Sequence, residues 1–334
     1  MSYPSTSASG APVRLTGLVH LPHSPPPADG WPVVSYGHMT TGGAASGAPS
    51  TAAPGHPEWR RISQGDALCE RLLARGVAVL RPDYEGLGSP GVHPYLIGDP
   101  LATSVLDMVA ARRDFDPRLG DRWVSAGHSE GSVAALFTAR SGRTRPLPLR
   151  GVAAFTPVTR MDLTIGATRR LPVVLPACGI LSALIALMIR GATTASARVA
   201  ELVGGGGLST RAEALWPHLD ERCASDLAQP DSFGGLPPAA IGGRHGGELF
   251  GALFEVMRAN EVRDLHLAPV PVRIDAGWFD EVAPAPLTRR LMSAYRTRGV
   301  DLTTCWWPSH HSGTMQARHA PSAAADWIVA RLAE

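Results

Sequence analysis

Ser129 lies in Gly127-His128-Ser129-Glu130-Gly131, preceded by the apolar run Trp123-Val124-Ser125-Ala126 and followed by Ser132-Val133-Ala134-Ala135-Leu136. Strand, tight turn and small-residue helix in that order make a nucleophile elbow: the glycines let the helix pack against the strand while the serine is held in a strained conformation with its hydroxyl projecting. The positive end of the helix lies beneath that hydroxyl. A serine so placed becomes a nucleophile when an imidazole takes its proton and a carboxylate orients the imidazole. The imidazole candidates are His310 and His311, adjacent in Pro308-Ser309-His310-His311-Ser312-Gly313. The carboxylate candidate is Asp280, just past the run Pro271 to Gly277, with Asp275 inside that run and Glu281 beside Asp280 as alternatives. For the oxyanion, one backbone donor is the residue after the nucleophile, Glu130, and the other comes from the loop Met39-Thr40-Thr41-Gly42-Gly43, where Met39 and Thr40 are the candidates. Acyl transfer through a serine-bound intermediate is the chemistry open to this set.

Such residues work only if regular elements bring them to one place. Val13 to Leu21 alternates apolar and polar residues as a strand does, and Trp31 to His38 is a more buried strand running into the Met39 loop. Ile62 to Arg75 carries apolar residues at helical spacing and stops at Gly76; Val77 to Leu80 is a strand buried on both faces; Leu101 to Arg113 is the next helix. After the elbow come a strand at Gly151 to Thr156, a helix at Glu248 to Arg258, strands at Pro271 to Gly277 and Val300 to Trp307, and an amphipathic helix at Pro321 to Leu332. Alternation of strand and helix predicts an α/β fold, a mostly parallel sheet with helices on both faces.

Residues 1–11, small and polar, read as a flexible tail. The stretch 157–268 is too long for a connection and reads as a large helical cap or lid insertion, which leaves 12–156 and 269–334 as the core. Inside it, Leu171 to Ile189 is almost wholly apolar and is flanked by Arg169, Arg170 and Arg190. Its length meets that of a membrane span, but two prolines, a glycine and its place inside an enzyme domain argue for a helix that lines an acyl pocket, opens as a lid or is simply buried. Gly204 to Gly207 lacks the strand and lysine of a phosphate loop and reads as a hinge or loop.

Composition removes other classes. The chain of 334 residues has 31 basic residues, every one arginine, against 29 acidic ones. Schiff-base, Ser-Lys and phosphate-loop lysine chemistry are therefore excluded, and the scattered arginines make no nucleic-acid footprint. Cys69, Cys178, Cys223 and Cys305 lie far apart and read as free thiols; the twelve histidines show no metal-binding spacing, so no metal and no cofactor is expected. Met1 to Pro12 has neither the basic start nor the apolar core of a signal peptide, so a cytoplasmic location is expected, or a secreted one had a leader been trimmed.

The chain resembles the secretory lipase family of the α/β-hydrolase superfamily. The resemblance rests on Val33 to Gly42, Ala48-Pro49-Ser50, Asp83-Tyr84-Glu85-Gly86-Leu87-Gly88 with His93-Pro94-Tyr95, and the elbow, and covers most of residues 31–140 in the family's order. It departs at Met39, where the family usually has glycine, and at Gly47, where a family cysteine is absent and its disulfide cannot form. The resemblance implies the chain order Ser, Asp, His; it favours Asp280, through Gly-x-x-Asp-x-Val-x-Pro at 277–284, and His311, through His-x-Gly at 311–313. Ser129, Asp280 and His311 are thus the expected triad of a serine esterase or lipase acting on apolar acyl esters. An acyltransferase or thioesterase working on an intracellular metabolite keeps the same machinery, and a non-catalytic binding protein is the alternative from another class. The expected partner is a small-molecule or lipid ester, with no nucleic acid and no stable membrane span; the sequence leaves the oligomeric state open.

Overall fold

A computed structural model describes residues 1–173 and 179–334. Its eight strands are β1 Ser2–Thr6, β2 Pro12–His20, β3 Trp31–Gly37, β4 Ala78–Pro82, β5 Leu119–His128, β6 Leu149–Phe155, β7 Val272–Gly277 and β8 Leu302–Trp307. They form one sheet in the order β1-β2-β4-β3-β5-β6-β7-β8. The first two strands run antiparallel to their neighbours and the rest are parallel. Parallel strands buried on both faces should read as continuous apolar runs, and β4 and β7 are buried at every position.

The expected flexible tail is corrected here: Ser2–Thr6 pairs with β2 in register Tyr3 to Leu15. One side chain anchors it. Tyr3 is fully buried, its ring meets Phe115 edge-on at 6.2 Å, and its hydroxyl donates to the Ser104 carbonyl at 3.0 Å. A strand whose only large inward residue is a single tyrosine shows no hydrophobic periodicity, so its polar neighbours read as a tail.

Its helices include α1 Asp66–Leu73, α2 Gly98–Ala110, α3 Glu130–Thr138, α4 Met161–Thr168, α5 Gly179–Ala192, α6 Ala197–Leu202, α7 Gly246–Ala259, α8 Ala285–Thr297 and α9 Ala320–Ala333. One face of the sheet is covered by α2, α3 and α8 through residues such as Leu101, Val105, Val133 and Leu291; the other is covered by α1 and α9 through Leu68, Leu72, Ile328 and Leu332. Between β6 and β7, α4 to α7 enclose a separate apolar cluster that includes Ile165, Ile185, Leu187, Ile189, Leu249 and Leu253. Packing returns to the sheet before the predicted boundary at 268, since Val262 and Leu265 belong to the sheet's own core. Of the apolar run Leu171 to Ile189, Val174 to Cys178 lie outside the described residues; Gly179 onward is α5. Among the described residues no helix is long and apolar enough to cross a membrane. The Gly204–Gly207 stretch forms a widened turn after α6, with Gly206 at φ 88°.

Candidate active site

The elbow is built by backbone contact. A Cβ on Gly127 would lie 2.0 Å from the Gly131 carbonyl oxygen, and one on Gly131 would lie 2.0 Å from that of Gly37, so no larger residue lets α3 sit this close to β3 and β5. Ser129 between them takes φ 57° and ψ −114°, strain on the order of 1–3 kcal/mol that the surroundings hold in place. Its N–H donates to the Phe155 carbonyl at 2.9 Å, tying the turn to the end of β6, and its carbonyl accepts from the Ser132 N–H at 2.9 Å. The hydroxyl is left facing the loops after β7 and β8.

Those loops bring an imidazole and a carboxylate to it. His311 Nε2 lies 2.8 Å from Ser129 Oγ, and His311 Nδ1 lies 2.9 Å from both Asp280 oxygens. All three residues are buried. Facing a carboxylate, Nδ1 carries the proton, which leaves the Nε2 lone pair for the serine hydroxyl. Asp280 Oδ1 also accepts the N–H groups of Val282 and Ala283 at 2.9 and 2.7 Å, so the carboxylate is fixed from the backbone side. Asp275 is engaged elsewhere: it pairs with Arg273 at 2.7 and 2.9 Å and accepts from Trp307 Nε1 at 2.8 Å, and burial raises its pKa. Glu281 meets the His311 backbone N–H at 3.1 Å, not the ring. His310 is exposed, its ring folded over Gly313.

Met39 and Thr40 border the cavity above Ser129, together with Tyr95, Ile180, Leu184 and Ala224. The backbone N–H groups of Met39, Thr40 and Glu130 have no acceptor among the described residues. Donors on the loop after β3 and on the first turn of α3, where helix N–H groups have no intrahelical acceptor, are the kind of groups that can hold a developing oxyanion. The loop is shaped by His38, whose Nδ1–H donates to the Met39 carbonyl at 2.7 Å, and by Thr40, whose hydroxyl donates to Tyr95 at 2.9 Å. Burial pushes the His38 pKa down to about 3, so the ring is neutral.

The comparisons bear on the scaffold. No protein-family model and no characterised relative matches the sequence. Solved structures do match. The closed state of Candida antarctica lipase A superposes with a TM-score of 0.76 at 15% identity over 99% of this chain and 76% of that one. The rice cell wall degrading esterase LipA of Xanthomonas oryzae superposes with a TM-score of 0.70 at 18% identity over 99% and 87%. The chain has the α/β-hydrolase fold. Its eight strands are mostly parallel, with the elbow after the fifth and the loops after β7 and β8 at the same sheet end.

Within this α/β-hydrolase scaffold the structure adds residues that reading the chain did not single out. Behind the elbow, His93 Nε2 meets Glu130 Oε1 at 2.7 Å with both side chains buried, and His93 Nδ1–H donates to the Glu85 carbonyl at 3.1 Å. His38, Tyr84 and His93 stack, with centroid distances of 4.4 and 5.8 Å. His128 lies beside the His311 ring at 5.3 Å, fully buried, with neither ring nitrogen paired among the described residues; burial and then the His311 charge hold its pKa well below the usual range. Tyr84 and His93 sit in the segments that carry the family resemblance, which was the signal available for them. Nothing local marks a clasp at the cavity rim: Arg61 Nη1 donates to Glu58 and Ser225 at 2.8 Å, the Ser225 N–H donates to Glu58 at 2.8 Å, and the Ala224 N–H donates to the Thr41 carbonyl at 2.9 Å.

Proposed function

We propose that the protein is a serine carboxylic-ester hydrolase with Ser129, His311 and Asp280 as its triad. The observation that carries this reading is the continuous chain Ser129 Oγ, His311, Asp280 at 2.8 and 2.9 Å, lying beside three unpaired backbone donors. His311 Nε2 takes the Ser129 proton as Oγ bonds to the ester carbonyl carbon, and the carbonyl oxygen becomes an oxyanion held by the N–H of Glu130 and that of Met39 or Thr40. Asp280 stabilises the imidazolium without taking its proton. Collapse of the tetrahedral intermediate breaks the bond to the alcohol oxygen, which leaves with the proton from His311. Water, deprotonated by the same nitrogen, then releases the acid and restores Ser129. The chain's own residues suffice for each step.

The acyl group is short on this reading. The cavity at Ser129 is about 120 Å³, well under the roughly 300 Å³ at which pockets for drug-sized ligands begin, and Ile180 and Leu184 are among its lining. The likeness to a lipase and an esterase supports ester substrates. The test is p-nitrophenyl acetate turnover together with labelling by a serine-directed phosphonate. Ser129→Ala should lose on the order of 10⁴ or more in kcat, and all labelling, with an unchanged melting temperature. Equal turnover by parent and Ser129→Ala would remove the proposal.

A further inference from the structure

The residue whose backbone N–H is to hold the oxyanion, Glu130, also carries an acid into the interior. Its carboxyl is fully buried, with Oε1 2.7 Å from His93 Nε2 and Oε2 without a partner among the described residues. Covalent geometry alone keeps that carboxyl within about 5 Å of its own backbone nitrogen. A negative charge there would stand roughly 8 Å from the oxyanion, inside the protein, where screening is weak.

The hydrogen bonds fix the protonation. The Glu85 carbonyl can only accept, so His93 Nδ1, 3.1 Å from it, carries a proton, and Nε2 is the atom that meets the acid. A lone pair on Nε2 facing a lone pair on Oε1 at 2.7 Å would be repulsive, so one proton lies between them. Whether that proton is written on nitrogen or on oxygen, the pair as a whole has no net charge. A carboxylate left to itself is ill suited to the place, since nothing donates to Oε2.

No other titratable neighbour supplies that neutrality. Tyr84 and Tyr95 flank His93 at ring-centroid distances of 5.8 and 6.0 Å, and burial raises the pKa of both hydroxyls. His38, stacked on Tyr84, is neutral because burial lowers its pKa, and the Glu85 carboxylate is turned to the Ala8 N–H at 2.7 Å. At Ser129, His311 is paired with Asp280 and His128 is held neutral by burial; at the cavity rim Arg61 is paired with Glu58.

Resting on the ester-hydrolase reading, we propose that His93 is a positioning residue of the reaction: by sharing one proton with the Glu130 carboxyl it keeps negative charge away from the N–H that holds the oxyanion. It touches neither substrate nor Ser129 and acts through Glu130 alone.

The experiment follows kcat for p-nitrophenyl acetate from about pH 6 to 9 in the parent, in His93→Gln and in His93→Gln with Glu130→Gln. Rates are taken per site labelled by a serine-directed phosphonate, so a partial loss of folded enzyme cancels. The parent should rise to a plateau as His311 loses its proton. In His93→Gln the acid titrates alone, so kcat should approach the parent's at the acid end. At the alkaline end it should fall about thirtyfold below, as Coulomb's law gives for that separation at an effective dielectric of about 20. KM should change little, because the oxyanion exists only in the transition state and intermediate. The double variant has no carboxyl to ionise and should regain the shape of the parent profile. A loss of equal size at every pH, an alkaline loss that the double variant keeps, or no loss in His93→Gln overturns the proposal and leaves the hydrolase reading standing. Should His93→Gln not fold, the parent decides by NMR. Its His93 Cε1–H resonance should show no full imidazole protonation step over that pH range, and such a step overturns the proposal. No Ser129-dependent hydrolysis of any ester by the parent overturns both.

Discussion

The two walls of the Ser129 cavity are made by different physics. The sheet-side wall carries Ser129, Met39, Thr40 and His311, and is held by glycine-to-backbone contacts of 2.0 Å at a notional Cβ, by a strained serine and by buried polar pairs. The insertion-side wall carries Ile180, Leu184 and Ala224, and is held by apolar packing of α5 within its own cluster and by the few hydrogen bonds at Thr41 and Glu58. A wall fixed by close backbone approach and buried charge tolerates almost no change, because each group is positioned by its only possible partner. A wall of hydrocarbon is set by volume, and substitutions there change what fits before they change whether the site works. Chemistry on the first wall and selectivity on the second is the division expected from this difference.

The contrast can be broken most forcefully at His93. Its Nδ1–H is committed to the Glu85 carbonyl, so the contact with Glu130 shares a single proton between Nε2 and Oε1. His93→Phe strands the Glu130 carboxyl in the interior and should cost about 3–5 kcal/mol in chemical denaturation, whereas His93→Phe with Glu130→Leu should recover most of it. A single variant within about 1 kcal/mol of the parent would mean the sheet-side wall is not held this way.

A smaller effect tests the buried histidines of the same wall. His38 and His128 are neutral when folded, their pKa values lowered chiefly by burial, but take up a proton near pH 6.5 when unfolded. Their contribution to stability is complete above that pH and is lost as pH falls, for His38 down to about 3. Each adds about 1.4 kcal/mol per pH unit to the slope in that window. His128→Phe should therefore show a shallower loss than the parent between pH 6 and 5, by about that amount; parallel curves would contradict the assignment.

A paired substitution sharpens the other wall. Leu184 faces the cavity while Leu187, three residues on, is buried in the insertion's cluster against Gly43. Leu184→Gln should flatten the rise in kcat/KM from p-nitrophenyl acetate to butyrate, about fourfold per methylene at 0.8 kcal/mol each, with little change in stability. Leu187→Gln should do the reverse, lowering stability by about 3 kcal/mol and sparing the profile. Interchanged outcomes would show that the insertion is arranged otherwise.

Legibility followed the range of the physics. The elbow was readable because strand, glycines and helix are adjacent and each glycine answers a steric demand met within a few residues, Gly127 against Gly131. Most strands were readable because burial on both faces leaves an unbroken apolar run, as at Val77 to Leu80. The β1 strand was not, since one buried tyrosine pairs it with partners about a hundred residues away. Leu184 and Leu187 looked alike in a run of apolar residues, and only the packing of α5 separated a cavity wall from a core.

By itself, then, the chain determined the order of its elements and the residue types that could meet at one sheet end: a serine on a turn, acids after β7, two histidines after β8. Which of them meet was decided by tertiary structure. His311 caps the short 3₁₀ turn Ser312–Met315 and its ring reaches Ser129, 182 residues away, while its neighbour His310 is exposed. Local sequence sets backbone geometry through steric contacts a few residues apart, but the direction a side chain faces relative to a distant strand is fixed only when the elements pack, and the candidate triad exists only at that level.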